Sequence, residues 1–278
     1  MNQIPLTATL ALLAATAIHS TAAPTPSGQP FVSPVFGDHM VLQREKPNRI
    51  WGWSEPGKEI VVRFADHSAK TTDRADGSWG LLVQPPAAGG PYTLSVDGPQ
   101  KREFQDVLVG DVWICSGQSN MELPMPRVRD AEQEIQAANH PQIRLFVVKN
   151  QVSYTPALTL DGTWSVCSPE SVSGFSAVGY YFGRKLQQEL QVPVGLVQAA
   201  VGGTPAETWT SEEALRPLHD FDATLDEIQR LRGKGGPQYG NFISHWYDEF
   251  DVGQKEKWAE AVSDDDPWKP VNLPGGFK

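Results

Sequence analysis

The sequence is poor in cysteine, carries no surplus of positive charge and has no apolar run long enough to span a bilayer. Two cysteines in 278 residues, Cys115 and Cys167, exclude a disulfide-dense scaffold. The pair fits either a single disulfide in an exported protein or two buried thiols. Lys and Arg number 23 against 33 Asp and Glu, for a net charge of −10. Nucleic acid and anionic membrane surfaces both need clustered cations, so neither is an expected partner. No metal-ligand spacing, phosphate-binding glycine loop or dinucleotide fingerprint occurs, and no metal or cofactor is expected.

The one marked apolar stretch, residues 5–18, sits at the extreme N-terminus and is followed by the small residues Ser20, Thr21 and Ala22. It is too short for a membrane span and reads as a signal peptide over 1–22, although no Lys or Arg precedes it. That reading implies a secreted or periplasmic protein, with no membrane insertion once the peptide is removed. Residues 23–30, rich in Pro and Ser, then form a flexible lead-in.

What is present is the composition of a globular protein, 40% hydrophobic with nine Trp, and enough chain for more than one domain. From 31 to 110 the pattern is all β: short segments at 49–53, 59–64, 79–83, 92–96 and 104–109, with turns at Pro56-Gly57, Asp76-Gly77, Gly89-Gly90 and Asp97-Gly98. This spacing predicts a small β-sandwich. Trp51, Trp53 and Trp79 suit either its core or a sugar-stacking platform. Beyond 111 strand and helix alternate. A helix is expected over 130–139, stopped at Asn139, His140 and Pro141; a strand follows at 143–148, a longer helix at 173–190 and a strand at 194–200. In the longer helix Phe175, Val178, Phe182 and Leu186 recur at helical spacing, and Gly179 and Gly183 permit close packing. The order predicts a parallel sheet covered on both faces, with a further helical stretch over 211–231.

The chemistry concentrates where the texture changes. Asp111-Val112-Trp113-Ile114 is apolar and β-favouring, and Cys115-Ser116-Gly117-Gln118-Ser119-Asn120 then turns sharply. Ser119 is thereby delivered to the carboxyl end of a strand, where open α/β sheets place their chemistry. A nucleophilic hydroxyl needs that exposure, a small neighbour and nearby N–H groups for a developing oxyanion. Gly202 and Gly203, directly after the strand at 194–200, offer backbone N–H groups with no Cβ in the way. On the loop beyond, Glu207 suits either a substrate contact or an exposed helix start, and Trp209 a pocket wall. Arg127 and Arg129 offer bidentate forks for a carboxylate, or are solvated.

The run 112–121, together with Ala200-Val201-Gly202-Gly203-Thr204-Pro205-Ala206-Glu207-Thr208-Trp209, resembles the bacterial sialate O-acetylesterase family, a branch of the SGNH hydrolases. Met40-Val41-Leu42-Gln43-Arg44, Ile50-Trp51-Gly52-Trp53 and 174–180 extend the resemblance. It implies an N-terminal β-sandwich (31–110), then a partial SGNH-type α/β/α, flavodoxin-like hydrolase domain (111–240). Residues 241–278 would open an inserted β-rich domain. The implied activity is hydrolysis of O-acetyl esters on sugars, sialate 9-O-acetyl esters first, with acetylated xylan or another glycan as the alternative. An O-acetylated carbohydrate is then the partner. Ser119 would be the nucleophile and the N–H groups of Ser119 and Gly202 or Gly203 the oxyanion hole, with Gln118, Asn120, Glu207, Trp209 and Arg127 towards substrate.

The resemblance also implies a C-terminal Asp-x-x-His block and a later Gly-Glu-Ser-Asn-like block, and neither occurs. His39, His67, His140, His219 and His245 all lack the spacing. The expectation is therefore an esterase portion, nearly inactive alone because the general base is missing. Two rival readings stand beside it: a non-catalytic carbohydrate-binding or scaffold protein of the same fold, and a base improvised from His245 with Asp248.

Overall fold

A computed structural model describes residues 28–151, 153–232 and 255. The expected signal peptide and nearly all of the expected inserted domain lie outside the described residues. Two compact units emerge: described residues up to 149 with 159–205, and the described parts of 150–158 and of 206–278.

The first unit opens with β1 (Val41–Gln43), β2 (Asn48–Trp53), β3 (Glu59–Phe64), β4 (His67–Thr72), β5 (Ser78–Val83), β6 (Gly89–Asp97) and β7 (Lys101–Gly117). After β7 come α1 (Ser119–Glu122), α2 (Ala131–Gln136), β8 (His140–Val147), β9 (Trp164–Cys167), α3 (Pro169–Ser173), α4 (Ala177–Leu190) and β10 (Val194–Ala200). Eight strands form one mixed sheet in the order β4-β3-β6-β7-β10-β8-β9, with β1 also on β7, while β2 and β5 pair separately.

Alternation explains the N-terminal part. Ile60, Val62 and Phe64 of β3 point inward with Leu94 and Val96 of β6, and meet Ile50 of β2 and Trp79, Leu81 and Val83 of β5 in one buried cluster. Trp79 is a core residue: it is 2% exposed and its indole N–H donates to the Phe31 carbonyl at 2.9 Å. Trp51 packs edge-on against Phe36, ring centres 4.8 Å apart. The expectation had no strand at β1, only three residues long, or at β4, whose polar sequence carries little β signal.

The change of texture at 110 does not interrupt the backbone. β7 pairs with β6 and β1 as far as Gly110 and then, from Asp111 to Gly117, runs parallel to β10. At the crossover a Cβ on Gly110 would stand 1.9 Å from the Pro193 carbonyl oxygen, so only glycine fits. β10 also runs parallel to β8, whose outer neighbour β9 is antiparallel.

The predicted strand over 194–200 coincides with β10. The helix expected over 173–190 is instead two. α3 stops at Ser173, and α4 starts afresh because the Ser176 hydroxyl accepts from Gly179 N–H at 3.0 Å, a serine N-cap. Its buried face also differs from the expected stripe. Val178 and Phe182 are exposed, while Ala177, Tyr180 and Gly183 are buried. Close packing at the two glycines decides this: a Cβ on Gly183 would meet Leu196 at 2.6 Å, and one on Gly179 would meet Cys115 Sγ at 3.0 Å. The strand β8 begins at His140, the residue expected to end the preceding helix. α4 covers the Cys115 and Leu196 face of the sheet. On the opposite face Phe146 is buried in the N-terminal cluster and Val197 packs against it, while Ile114 is 72% exposed, so that face is covered only in part among the described residues.

Both cysteines are buried free thiols. In the second unit the helix expected over 211–231 is broken into α5 (Glu212–Leu215), a 3-10 turn (Arg216–Leu218) and α6 (Asp222–Leu231). The break lies at Pro217 and at His219, whose φ is 60°. No described helix is long and apolar enough to cross a membrane.

Candidate active site

The site begins with a clamp on the strand that leads to it. Gln43 Nε2 donates to Asp111 Oδ1 at 3.2 Å, and its Oε1 accepts from Val112 N–H at 3.0 Å. Arg44 grips both oxygens of Asp111, Nε to Oδ1 at 2.9 Å and Nη2 to Oδ2 at 3.1 Å. That bidentate contact holds the Asp111 carboxyl below the usual carboxylate range. The Gln43-Arg44 pair thus fixes the start of the half of β7 that leads to Ser119.

From there β7 and β10 run in register, Asp111 opposite Val194 and Gly117 opposite Ala200, and Val201 N–H extends the ladder by donating to Gly117 O at 3.0 Å. Both strands therefore end at one level. β7 leaves the sheet at Gly117, whose φ of 141° suits glycine. Gln118 caps the single turn of α1 that follows.

Ser119 is the first residue of that turn and is exposed. Its hydroxyl donates to Gln118 Oε1 at 2.7 Å, and the same oxygen accepts from Ser119 N–H at 3.3 Å. Across the strand ends lies Gly202. A Cβ there would stand 3.5 Å from Ser119 Cβ and 2.7 Å from Glu122 Oε2. Glu122 closes α1, and its Oε2 accepts from Gly202 N–H at 2.6 Å. Gly203, exposed at φ 78°, has open space around its α-carbon.

Below the turn, Gln198 of β10 is 6% exposed and its Oε1 accepts from Ser176 N–H at 2.7 Å. Ser176 Oγ in turn reaches Met121 Sδ at 3.5 Å. Sheet, α4 cap and α1 are thereby tied into one support.

A serine hydroxyl at a strand end, beside a neighbouring glycine turn, is an arrangement suited to acyl transfer. Residues 109–243 match the family described as carbohydrate esterase, sialic acid-specific acetylesterase. The sialate O-acetylesterase of Rattus norvegicus is 32% identical over 201 residues, covering 64% of this chain and 37% of its own length. That of Homo sapiens is 30% identical over 207 residues, covering 67% and 39%. The crystal structure of a carbohydrate acetylesterase from Xanthomonas citri has TM-score 0.64 and 39% identity, covering 66% of this chain and 43% of that one. The chain thus spans well under half the length of these relatives.

Within the matched segment, Gln118, Ser119, Asn120, Gly202 and Gly203 occupy the two strand ends. Arg127 stands exposed at the end of a 3-10 turn (Met125–Arg127). Glu207 and Trp209 share the 3-10 turn Ala206–Trp209 of the second unit. Among the described residues no His, Cys, Asp and Glu cluster could hold a metal ion. Sequence reasoning missed Glu122. The signal was its spacing: three residues after Ser119 on a helical turn, it shares the serine's face.

Proposed function

We propose that this chain carries the nucleophile half of a serine esterase acting on O-acetylated sugars. The substrate class follows the relatives, which are sialate O-acetylesterases and a carbohydrate acetylesterase. The observation that carries the reading is the approach of Ser119 to the Gly202 turn, 3.5 Å from serine Cβ to a Cβ position on the glycine.

In this reading Ser119 Oγ attacks the acetyl carbonyl and loses its proton to a general base. The carbonyl oxygen becomes an oxyanion held by Ser119 N–H and an N–H of the Gly202-Gly203 turn. Collapse expels the sugar hydroxyl, which takes the proton back, and water then releases acetate from the serine by the same route. Ser119 N–H must exchange Gln118 Oε1 for the oxyanion. Because their present contact is 3.3 Å long, that exchange costs little.

The base comes from outside the described residues. Among them the only partner of the Ser119 hydroxyl is the Gln118 amide oxygen, which does not hold a proton at neutral pH. His245, outside the described residues, is the candidate in this sequence. A base supplied by the further length that the relatives possess is the other. The expected secretion and signal peptide accord with an extracellular glycan substrate.

The test is labelling by an organophosphonate, which requires an activated hydroxyl, followed by peptide mass mapping. Labelling at Ser119, abolished in Ser119→Ala, supports the esterase reading. Faster labelling in a longer version of the chain would place the base there, whereas loss in His245→Ala would place it at His245. Binding of acetylated glycan with no labelling in any version would leave a sugar-binding protein instead.

A further inference from the structure

The Glu122 carboxylate and the Gly202 N–H are 80 residues apart in sequence and 2.6 Å apart in space. That amide is the first beyond the β7–β10 ladder, which ends with Val201 N–H on Gly117 O. A strand end leaves such an N–H without a ladder partner. Here a carboxylate supplies it, in a charge-assisted bond shorter than the neutral kind.

The geometry has three points. Ser119 opens α1, Glu122 closes it, and the Gly202 peptide lies against both. The backbone atoms expected to hold an oxyanion are thereby joined by a side chain to the helical turn that bears the nucleophile. The glycine at 202 is required by this contact, because a Cβ there would stand 2.7 Å from Glu122 Oε2.

We propose that Glu122 is a positioning residue for acyl transfer: it fixes the Gly202-Gly203 turn relative to Ser119. One N–H cannot serve a carboxylate and an oxyanion fully at once, so the assignment has a corollary. Gly202 N–H belongs to Glu122, and Gly203, exposed with open space around it, makes the oxyanion donation. The inference rests on the esterase reading for its consequence in rate, and on geometry alone for the contact.

The experiment compares wild type, Glu122→Gln and Glu122→Ala in the longest version of the protein that Ser119-directed phosphonate labels. Two things are read: labelling kinetics, resolved into a saturation constant and a maximal rate, and hydrogen exchange at the Gly202 amide by NMR. Gln keeps an acceptor oxygen, whereas Ala does not. The expected result is that Ala lowers the maximal rate about tenfold with little change in saturation constant, as misplacement of a reacting group does. Gln should remain within about threefold of wild type, since an amide oxygen still accepts the bond. Exchange at Gly202 should accelerate in Ala and not in Gln. Equal or faster labelling in Ala overturns the proposal, because Glu122 would then merely block the site. A Gln variant as slow as Ala also overturns it, showing that charge rather than the acceptor matters. If wild type and Ser119→Ala are alike in showing no labelling, the esterase reading fails. The contact then stands or falls on the Gly202 exchange rates.

Discussion

Arg144 is 4% exposed and holds both carboxylate oxygens of Asp106, Nη1 to Oδ2 at 2.7 Å and Nη2 to Oδ1 at 3.1 Å. The same guanidinium donates to three backbone carbonyls, those of Pro141, His39 and Asp106. His39 Nδ1 meets Asp106 Oδ2 at 2.7 Å. Asp106 lies on β7 four residues before the Gly110 crossover, at φ 53°. The cluster thus joins β7, β8 and the loop before β1 just upstream of the strand half that carries the serine.

Replacing Arg144 by Leu removes the charge that balances Asp106 and leaves several carbonyls without a donor. The expected loss is about 2–3 kcal/mol, at or just below the roughly 3–5 kcal/mol of a fully buried broken pair, because Asp106 keeps partial contact with water. The double variant Arg144→Leu with Asp106→Leu should recover part of it. Urea unfolding midpoints of the four proteins in this cycle check both statements.

The same cluster sets an acid limit. Asp106 is held below its ordinary value chiefly by the hydrogen bond from Arg144, with His39 adding and burial opposing; Asp111 is lowered likewise by Arg44. A carboxylate with a depressed folded pKa contributes stability that is fully present above its unfolded pKa, near 4, and lost as pH falls through the folded one. Stability should therefore be level from about pH 7 to 5 in these two groups and drop below about pH 4. Arg144→Leu should flatten that acid limb, as read by unfolding midpoints at successive pH values. An unchanged acid slope in Arg144→Leu would refute the assignment.

The second half of β7 and β10 were legible because their signals are dense: an apolar run of β-favouring residues ending at glycine. β3, with Ile60, Val62 and Phe64 at alternate positions, was equally plain. What escaped was set by partners distant in sequence. β4, with the sequence His-Ser-Ala-Lys-Thr-Thr, is a strand because β3 offers it an edge, not because its own residues demand one. The buried face of α4 was misread because Val178 and Phe182 look like core residues, while the contact is made where Gly183 lets Leu196 approach. In the site, turn chemistry singled out Ser119 and the glycine pair only as candidates, and the family resemblance added the weight. Glu122 was not singled out: its spacing put it on the face of Ser119, but its contact with Gly202 forms only once β10 is laid beside β7.

Gly110 gives a sharper test of the crossover. A Cβ at this position would lie 1.9 Å from Pro193 O and 2.6 Å from Pro193 C, both backbone atoms that cannot rotate aside. The neighbouring bond from Asp111 N–H to the same Pro193 oxygen, at 2.9 Å, holds β10 in register with β7. Gly110→Ala should therefore cost at least about 3 kcal/mol, in the upper range for single substitutions. It should also weaken Ser119 labelling by shifting the Gly202 turn. Gly57→Ala is the control: the space around it is open and only its φ of 84° is strained. Its loss should stay near about 1 kcal/mol. Comparable losses in the two variants would show that the crossover is not close-packed.

The two thiols should be chemically silent. Cys115 lies beneath α4 against Gly179, and Cys167 ends β9, fully buried. Burial pushes both thiols upward, Cys167 to about 12. Since the thiolate is the reactive form, alkylation at pH 8 is limited twice, by a vanishing thiolate fraction and by access. Intact-mass analysis after treatment with iodoacetamide should show no addition to the folded protein and two additions in denaturant. A reductant should leave the melting temperature unchanged, because no disulfide is present to be lost. A mass two units below the reduced value, or a reductant-sensitive melt, would mean that Cys115 and Cys167 pair in solution. That would require their strands, β7 and β9, to leave the register in which β10 and β8 now separate them.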